Sequence, residues 1–198
     1  MLWLDRLRAA LWCAAERGDI RTVKRLLRGS LLRRVIGVNA RTADGWMPLH
    51  YAAAYGHAEV VTLLLDRGAE VNATSHIGQT PLQYAACYGH GEVGRRLRER
   101  GAKHTVHTAA ALGDADTVQT LLERGASPNV RDYFGYTPLH WAARYGDARV
   151  ALTLLQHGAL ADLQNSNGQT ALSVAHFWGR SDVAATLTNR GEADRLAA

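Results

Sequence analysis

Apolar residues in this chain alternate between two patterns. In residues 58–66, Val60, Val61, Leu64 and Leu65 recur at i, i+1, i+4 and i+5, which puts them on one stripe of an α-helix. Between such stripes lie short alanine-rich runs. One is Met47-Pro48-Leu49-His50-Tyr51-Ala52-Ala53, and it returns as Thr80-Pro81-Leu82-Gln83-Tyr84-Ala85-Ala86. It returns again as Thr137-Pro138-Leu139-His140-Trp141-Ala142-Ala143, and in degraded form as Thr170-Ala171-Leu172-Ser173-Val174-Ala175-His176. Proline suits the first turn of a helix, where its missing N–H would have no partner anyway. Glycine follows each run, at Gly56, Gly89, Gly146 and Gly179, and suits a helix C-cap. The pattern predicts helix pairs: a short inner helix, a tight turn, then a longer outer helix ended by Gly-Ala, as at Gly68-Ala69 and Gly158-Ala159.

The spacing is regular. Pro81 follows Pro48 by 33 residues, and Ala171 follows Pro138 by 33. A period of 33 carrying a T-P-L-H-x-A-A frame resembles the ankyrin-repeat family. The resemblance extends over roughly residues 4–191. It implies an all-α solenoid of stacked helix-turn-helix units with short β-hairpin loops. We expect a single domain, 1–198, with six repeats at about 4–38, 39–71, 72–103, 104–128, 129–161 and 162–191. Two departures stand out. His107 follows Gln83 by only 24 residues, so nine are missing where a hairpin would fall. His50 follows Trp12 by 38, so five are inserted around residues 30–36. In the last outer helix, residues 182–188, Ala and Thr replace Leu, as a terminal repeat facing water requires.

Composition agrees with one repeat domain of 198 residues, 47% of them hydrophobic. The apolar run at 60–65 is far short of a membrane span. Asp5 and Glu16 argue against reading the N-terminus as a transit peptide, and Arg6 and Arg8 against a secretory signal. Cys13 and Cys87 form no C-x-x-C pair, which fits a reducing, cytoplasmic (or nuclear) setting. The net charge is +5, unevenly spread: residues 1–103 carry 16 Lys and Arg against 9 Asp and Glu, and residues 104–198 carry 7 against 9.

The resemblance implies a non-catalytic module or adaptor, monomeric in isolation, that binds another protein through hairpin tips and the inner-helix face. It implies no cofactor and no membrane. On the tip columns the candidates are Trp46, His76, Ile77, Tyr133, Phe134 and Tyr136; on the columns before the helix-closing glycine they are Tyr55, Tyr88, Arg144, Tyr145, Phe177 and Trp178. Aromatics and Arg anchor interfaces because they bury much area with few rotors to freeze. The bland alternative is packing along the stack.

A second candidate surface is basic: Arg21, Lys24, Arg25, Arg28, Arg33, Arg34 and Arg41, suited to nucleic acid or another anionic partner. It lacks the interleaved aromatics of single-strand binders, and a solvated outer-helix face would give the same pattern. A third possibility is a regulatory subunit of an enzyme on another chain. Cys87-x-x-His90 and His104-x-x-His107 have zinc-ligand types and spacing. However, His90 repeats His57, and His107 repeats His50 and His140, so structural roles are expected instead and no metal is assigned. No Ser/His/Asp constellation, phosphate loop or paired-carboxylate signature is visible, so no enzyme is expected. A weaker local likeness, carried by Gln169-Thr170-Ala171-Leu172 and Phe177-Trp178-Gly179, is similar to the ankyrin segment preceding a Nudix NADH pyrophosphatase. No Nudix glutamate-rich box is present, so that activity is not carried over.

Overall fold

The computed structural model describes residues 2–29, 36–145 and 147–196. Among the described residues there are twelve helices, in two compact units, Met1–Lys103 and His104–Ala198. The division falls where the sequence lacks a hairpin.

In the first unit the inner helices are α1 (Leu2–Glu16), α3 (Pro48–Ala54) and α5 (Pro81–Cys87), and the outer helices are α2 (Ile20–Leu26), α4 (Ala58–Asp66) and α6 (Gly91–Glu99). In the second the inner helices are α7 (Val106–Ala111), α9 (Pro138–Tyr145) and α11 (Ala171–Phe177), and the outer ones are α8 (Ala115–Glu123), α10 (Ala148–Gln156) and α12 (Ser181–Leu196). Inner helices pack on inner helices and outer on outer within each unit, and each helix packs on its own pair. Alanine makes this close stacking possible. Ala52, Ala53, Ala85, Ala86, Ala109, Ala110, Ala142 and Ala143 are all fully buried, beneath Leu49, Leu82 and Leu139.

The outer-helix stripe seals the other side of each layer through Val61, Leu64, Leu97 and Leu154. Leu121 stands at the position that Leu97 and Leu154 hold in their helices, yet it is only half-buried. Its helix, α8, has an outer-helix neighbour on one side only within its unit, and buries Val118 and Leu122 instead.

The inner helices start the same way, with different chemistry. The N-cap N–H is accepted by the side chain three residues on: Met47 by His50 Nδ1 (3.1 Å), Thr80 by Gln83 Oε1 (2.8 Å), Thr105 by Thr108 Oγ1 (2.9 Å) and Thr137 by His140 Nδ1 (3.2 Å). Each closes a capping box or its equivalent.

The expected hairpins are five-residue turns rather than strands among the described residues; one isolated bridge joins Gln164 and Thr170. Paired main-chain bonds close each turn, as between Asp132 N–H and Tyr136 O (2.9 Å) and between Gly135 N–H and Asp132 O (3.0 Å). Glycine is required at the fourth position for two reasons. Gly45 and Gly135 have φ of +77° and +74°, and a Cβ there would lie within about 3 Å of His76 and Ser166 on the next turn.

Candidate interaction surface

The hairpin at 132–136 is built around Asp132. One carboxylate oxygen accepts the N–H groups of Phe134 and Tyr136, both at 2.9 Å, and the other accepts the indole N–H of Trp141 at 2.9 Å. This fixes the tip on α9 and leaves Tyr133, 71% exposed, and Phe134 pointing into solvent, with their rings edge-to-face at 5.2 Å. Arg131 locks the turn to its successor by donating to Gln164 O at 2.6 Å, and Ser166 N–H donates to Phe134 O.

From Trp141 the aromatic surface runs on along the inner-helix ends. Trp141 faces Tyr145 at 6.2 Å, Tyr145 faces Trp178 at 6.5 Å, and Phe177 meets Trp178 edge-on at 5.5 Å. The Arg144 guanidinium lies 4.6 Å from the ring centroids of both Tyr145 and Trp178, close enough for two cation–π contacts. Phe177 is 74% exposed and Trp178 exposed. The second unit therefore carries two exposed aromatic groups, Tyr133 with Phe134 on the hairpin tip and Phe177 with Trp178 beside Arg144 and Tyr145 at the inner-helix ends, with the buried Trp141 ring in contact with Tyr145. In the first unit, Tyr55, His76, Ile77 and Tyr88 are also exposed; the Glu16 carboxylate beside Tyr55 holds its phenol above the usual range.

Two tip candidates turn inward. Trp46 is half-buried with its ring 4.3 Å from Tyr84 and 4.9 Å from Tyr51, so it fills the layer between α3 and α5. Tyr136 packs on His140 at 5.5 Å. Each stands immediately before an inner helix, where the chain turns back over the stack.

The basic candidates separate in the same way. Arg21, Lys24, Arg25 and Arg28 are exposed on or just past α2. Arg41 instead ties two hairpins together, donating to Thr74 O at 2.7 Å and Gly45 O at 3.1 Å. Arg33 and Arg34 lie outside the described residues.

The histidines do structural work. His140 Nε2 lies 2.9 Å from Gln169 O, and His107 Nε2 3.0 Å from Tyr136 O, so each ring donates to the next hairpin. The Gln79 carbonyl exerts the same pull on His50, though His50 Nε2 falls short of a full hydrogen bond. Burial lowers the pKa of all three, that of His50 to about 4. His90 reaches back to Ala54 O at 2.9 Å. Among the described residues no group of three or more His, Cys, Asp or Glu is placed to hold a metal.

Another set of ties was not singled out in the sequence. Asn39, Asn72 and Asn129 each tie the start of a repeat to the turn that follows its outer helix: Asn129 donates to Gly158 O (2.9 Å) and accepts the Leu160 N–H (2.9 Å). Asn39 does the same with Gly68 and Glu70, and Asn72 with Gly101 and Lys103. The signal was present: Asn72 follows Asn39 by one period of 33.

The family model for ankyrin repeats (three copies) matches residues 11–107 and again 106–195. The chain belongs to the ankyrin-repeat family. It is 41% identical over 66 residues to the human ankyrin repeat domain-containing protein 49, covering 33% of this chain and 26% of that protein. It is 38% identical over 65 residues to a Caenorhabditis elegans homolog of transient receptor potential cation channel subfamily A member 1, covering 33% of this chain and 5% of that protein. The chain thus spans about a quarter of the first of these curated relatives and a twentieth of the second. Among solved structures, one chain in the complex of the predatory endopeptidase Bd0816 of Bdellovibrio bacteriovorus with immunity protein Bd3460 is similar at 30% identity and a TM-score of 0.61, over 91% of this chain and 97% of that one. Ankyrin repeats are protein–protein interaction modules and generally non-catalytic ones. No helix among the described residues is long and apolar enough to cross a membrane.

Proposed function

We propose that this chain binds a partner protein through the aromatic surface of its second unit. The observation that carries this is the exposure of two aromatic pairs, Tyr133 with Phe134 and Phe177 with Trp178, the second pair beside the Arg144 guanidinium. Exposed aromatics that close together cost solubility unless a partner covers them. They also have the composition and rigidity of interface anchors.

The test is a triple variant, Tyr133→Ala, Phe134→Ala, Phe177→Ala, used as bait in extracts of the source organism. All three side chains are exposed, so the variant keeps its melting temperature. Hot-spot truncations cost about 2 kcal/mol or more each, so its principal partner is lost. Undiminished capture by the folded variant would overturn the reading.

A finer version is favoured by the nearly end-to-end similarity to a chain from a peptidase–immunity protein complex. In that version the captured partner is an enzyme, and the chain masks its activity. The same experiment reads it: the captured enzyme is inhibited by the wild-type chain and not by the triple variant.

A further inference from the structure

Arg144 is held in an unusual way for a surface arginine. Its guanidinium sits 4.6 Å from two ring centroids, Tyr145 and Trp178. The two centroids lie 6.5 Å apart, so the rings wall the guanidinium on two adjacent sides and the rest of its rim is left for hydrogen bonding. Among the described residues Arg144 makes no ion pair; its Nε is buried without an acceptor, so the terminal Nη1 and Nη2 groups are the donors left to a partner. The acidic side chains of the same repeat are already engaged. Asp132 accepts from Phe134, Tyr136 and Trp141, and Asp147 caps α10 through the Val150 N–H. A second cation stands alongside: Arg180 is exposed and donates through Nε to Arg144 O at 3.1 Å.

We infer that Arg144 is a receptor for a single carboxylate on an extended segment of the partner, an Asp or Glu flanked by apolar side chains. The inference rests on the aromatic surface being the binding face. A pre-stacked guanidinium presents two parallel N–H donors to a carboxylate with little freedom left to lose. Trp178 lies beside it and Phe177 meets Trp178, both exposed, so apolar residues flanking the acid find cover. A polyanion fits less well. Residues 104–198 carry 7 Lys and Arg against 9 Asp and Glu, so the unit as a whole repels a long phosphate backbone while one local cationic corner attracts one acid.

The test selects binders from a displayed library of random linear dodecapeptides on the full-length chain. Enriched peptides are expected to share an Asp or Glu beside an aromatic or aliphatic residue. Replacing that acid by its amide in the peptide should weaken binding to the unaltered protein by roughly tenfold or more. On Arg144→Gln the acidic peptide and its amide should bind alike. Arg144→Lys, which keeps charge but not the two-pronged donor, should retain part of the preference. The peptide-side change leaves the protein untouched, so it decides the matter even where Arg144→Gln loosens Trp178. Peptides that bind this face, as judged by their loss on the Tyr133→Ala, Phe134→Ala, Phe177→Ala variant, but show no preference for an acid would overturn this inference and leave the surface standing. Peptides that ignore the triple variant, or no enriched peptides, would overturn both. Tighter binding of a dodecathymidylate than of any acidic peptide, lost on Arg144→Gln, would replace the carboxylate reading with a nucleic-acid one.

Discussion

A single frame histidine does two jobs. In His140, Nδ1 accepts the Thr137 N–H, and Nε2 lies against Gln169 O. A carbonyl can only accept, so the ring is neutral with its proton on Nε2. A second proton would have to sit on Nδ1, facing a donor. Elsewhere the jobs separate. Gln83 supplies only the cap. In the fourth repeat His107 keeps the bond to the next hairpin while Thr108 takes over the cap. His50, buried with its pKa lowered to about 4, is the sharpest test. Unfolded, a histidine titrates near 6.5, so between about pH 6.5 and 4 the unfolded chain binds more protons at this site than the folded one. His50 therefore contributes stability that is complete above about pH 6.5 and is lost as pH falls towards 4, on the order of 3 kcal/mol. His107 and His140 act in the same direction. His50→Gln copies Gln83, so it folds and loses this dependence. Denaturation midpoints measured from pH 7 to 4 should fall less steeply for His50→Gln than for wild type; parallel curves would show that the ring carries no such linkage.

At the scale of elements, regularity comes from ties between consecutive turns as much as from helix packing. Asn129 makes two hydrogen bonds to the turn that ends its own repeat and leads into the next. Asn129→Ala should cost about 1–3 kcal/mol, since two bonds of roughly 0.5–1.5 kcal/mol each are lost. Asn167→Ala, at an exposed hairpin tip, serves as the control, and chemical denaturation compares them; equal stabilities would remove the tie from the account. The helix pairs, their caps and their glycine ends were legible because each depends on local spacing. The asparagine ties and the arginine ties of Arg41 and Arg131 were not, because what they touch lies 29–33 residues away. The same limit applies to the candidate surface. Tyr133, Phe134, Phe177 and Trp178 could be named from their columns and are exposed. Trp46 and Tyr136 occupy tip columns too, yet pack inward, Trp46 on Tyr84 of the next repeat and Tyr136 on His140 of its own. Arg144 was named, but its contact with the Trp178 ring depends on the next repeat.

At the scale of the whole molecule, the division between Lys103 and His104 matters most. A solenoid's cooperativity is the sum of intrinsic repeat stabilities and nearest-neighbour terms. Inside the first unit, Asn39, Arg41 and Asn72 join successive turns, and inside the second Asn129 and Arg131 do so. The sequence across 101–106 lacks the nine residues that would supply a turn for such ties. The two units should therefore unfold in separate steps, and point variants can assign each step. Leu64 and Leu154 are both fully buried in outer helices of different units, and truncating either to Ala costs about 2–5 kcal/mol. Urea unfolding followed by hydrogen exchange should show two transitions. Leu64→Ala should shift only the one reported by residues before 103, and Leu154→Ala only the one reported by residues after it. One transition that both variants shift equally would mean that the missing hairpin leaves the stack fully coupled. Independent units would mean in addition that loosening the first leaves the aromatic surface of the second intact, so Leu64→Ala should still capture the same partner at temperatures where its own unit has begun to open.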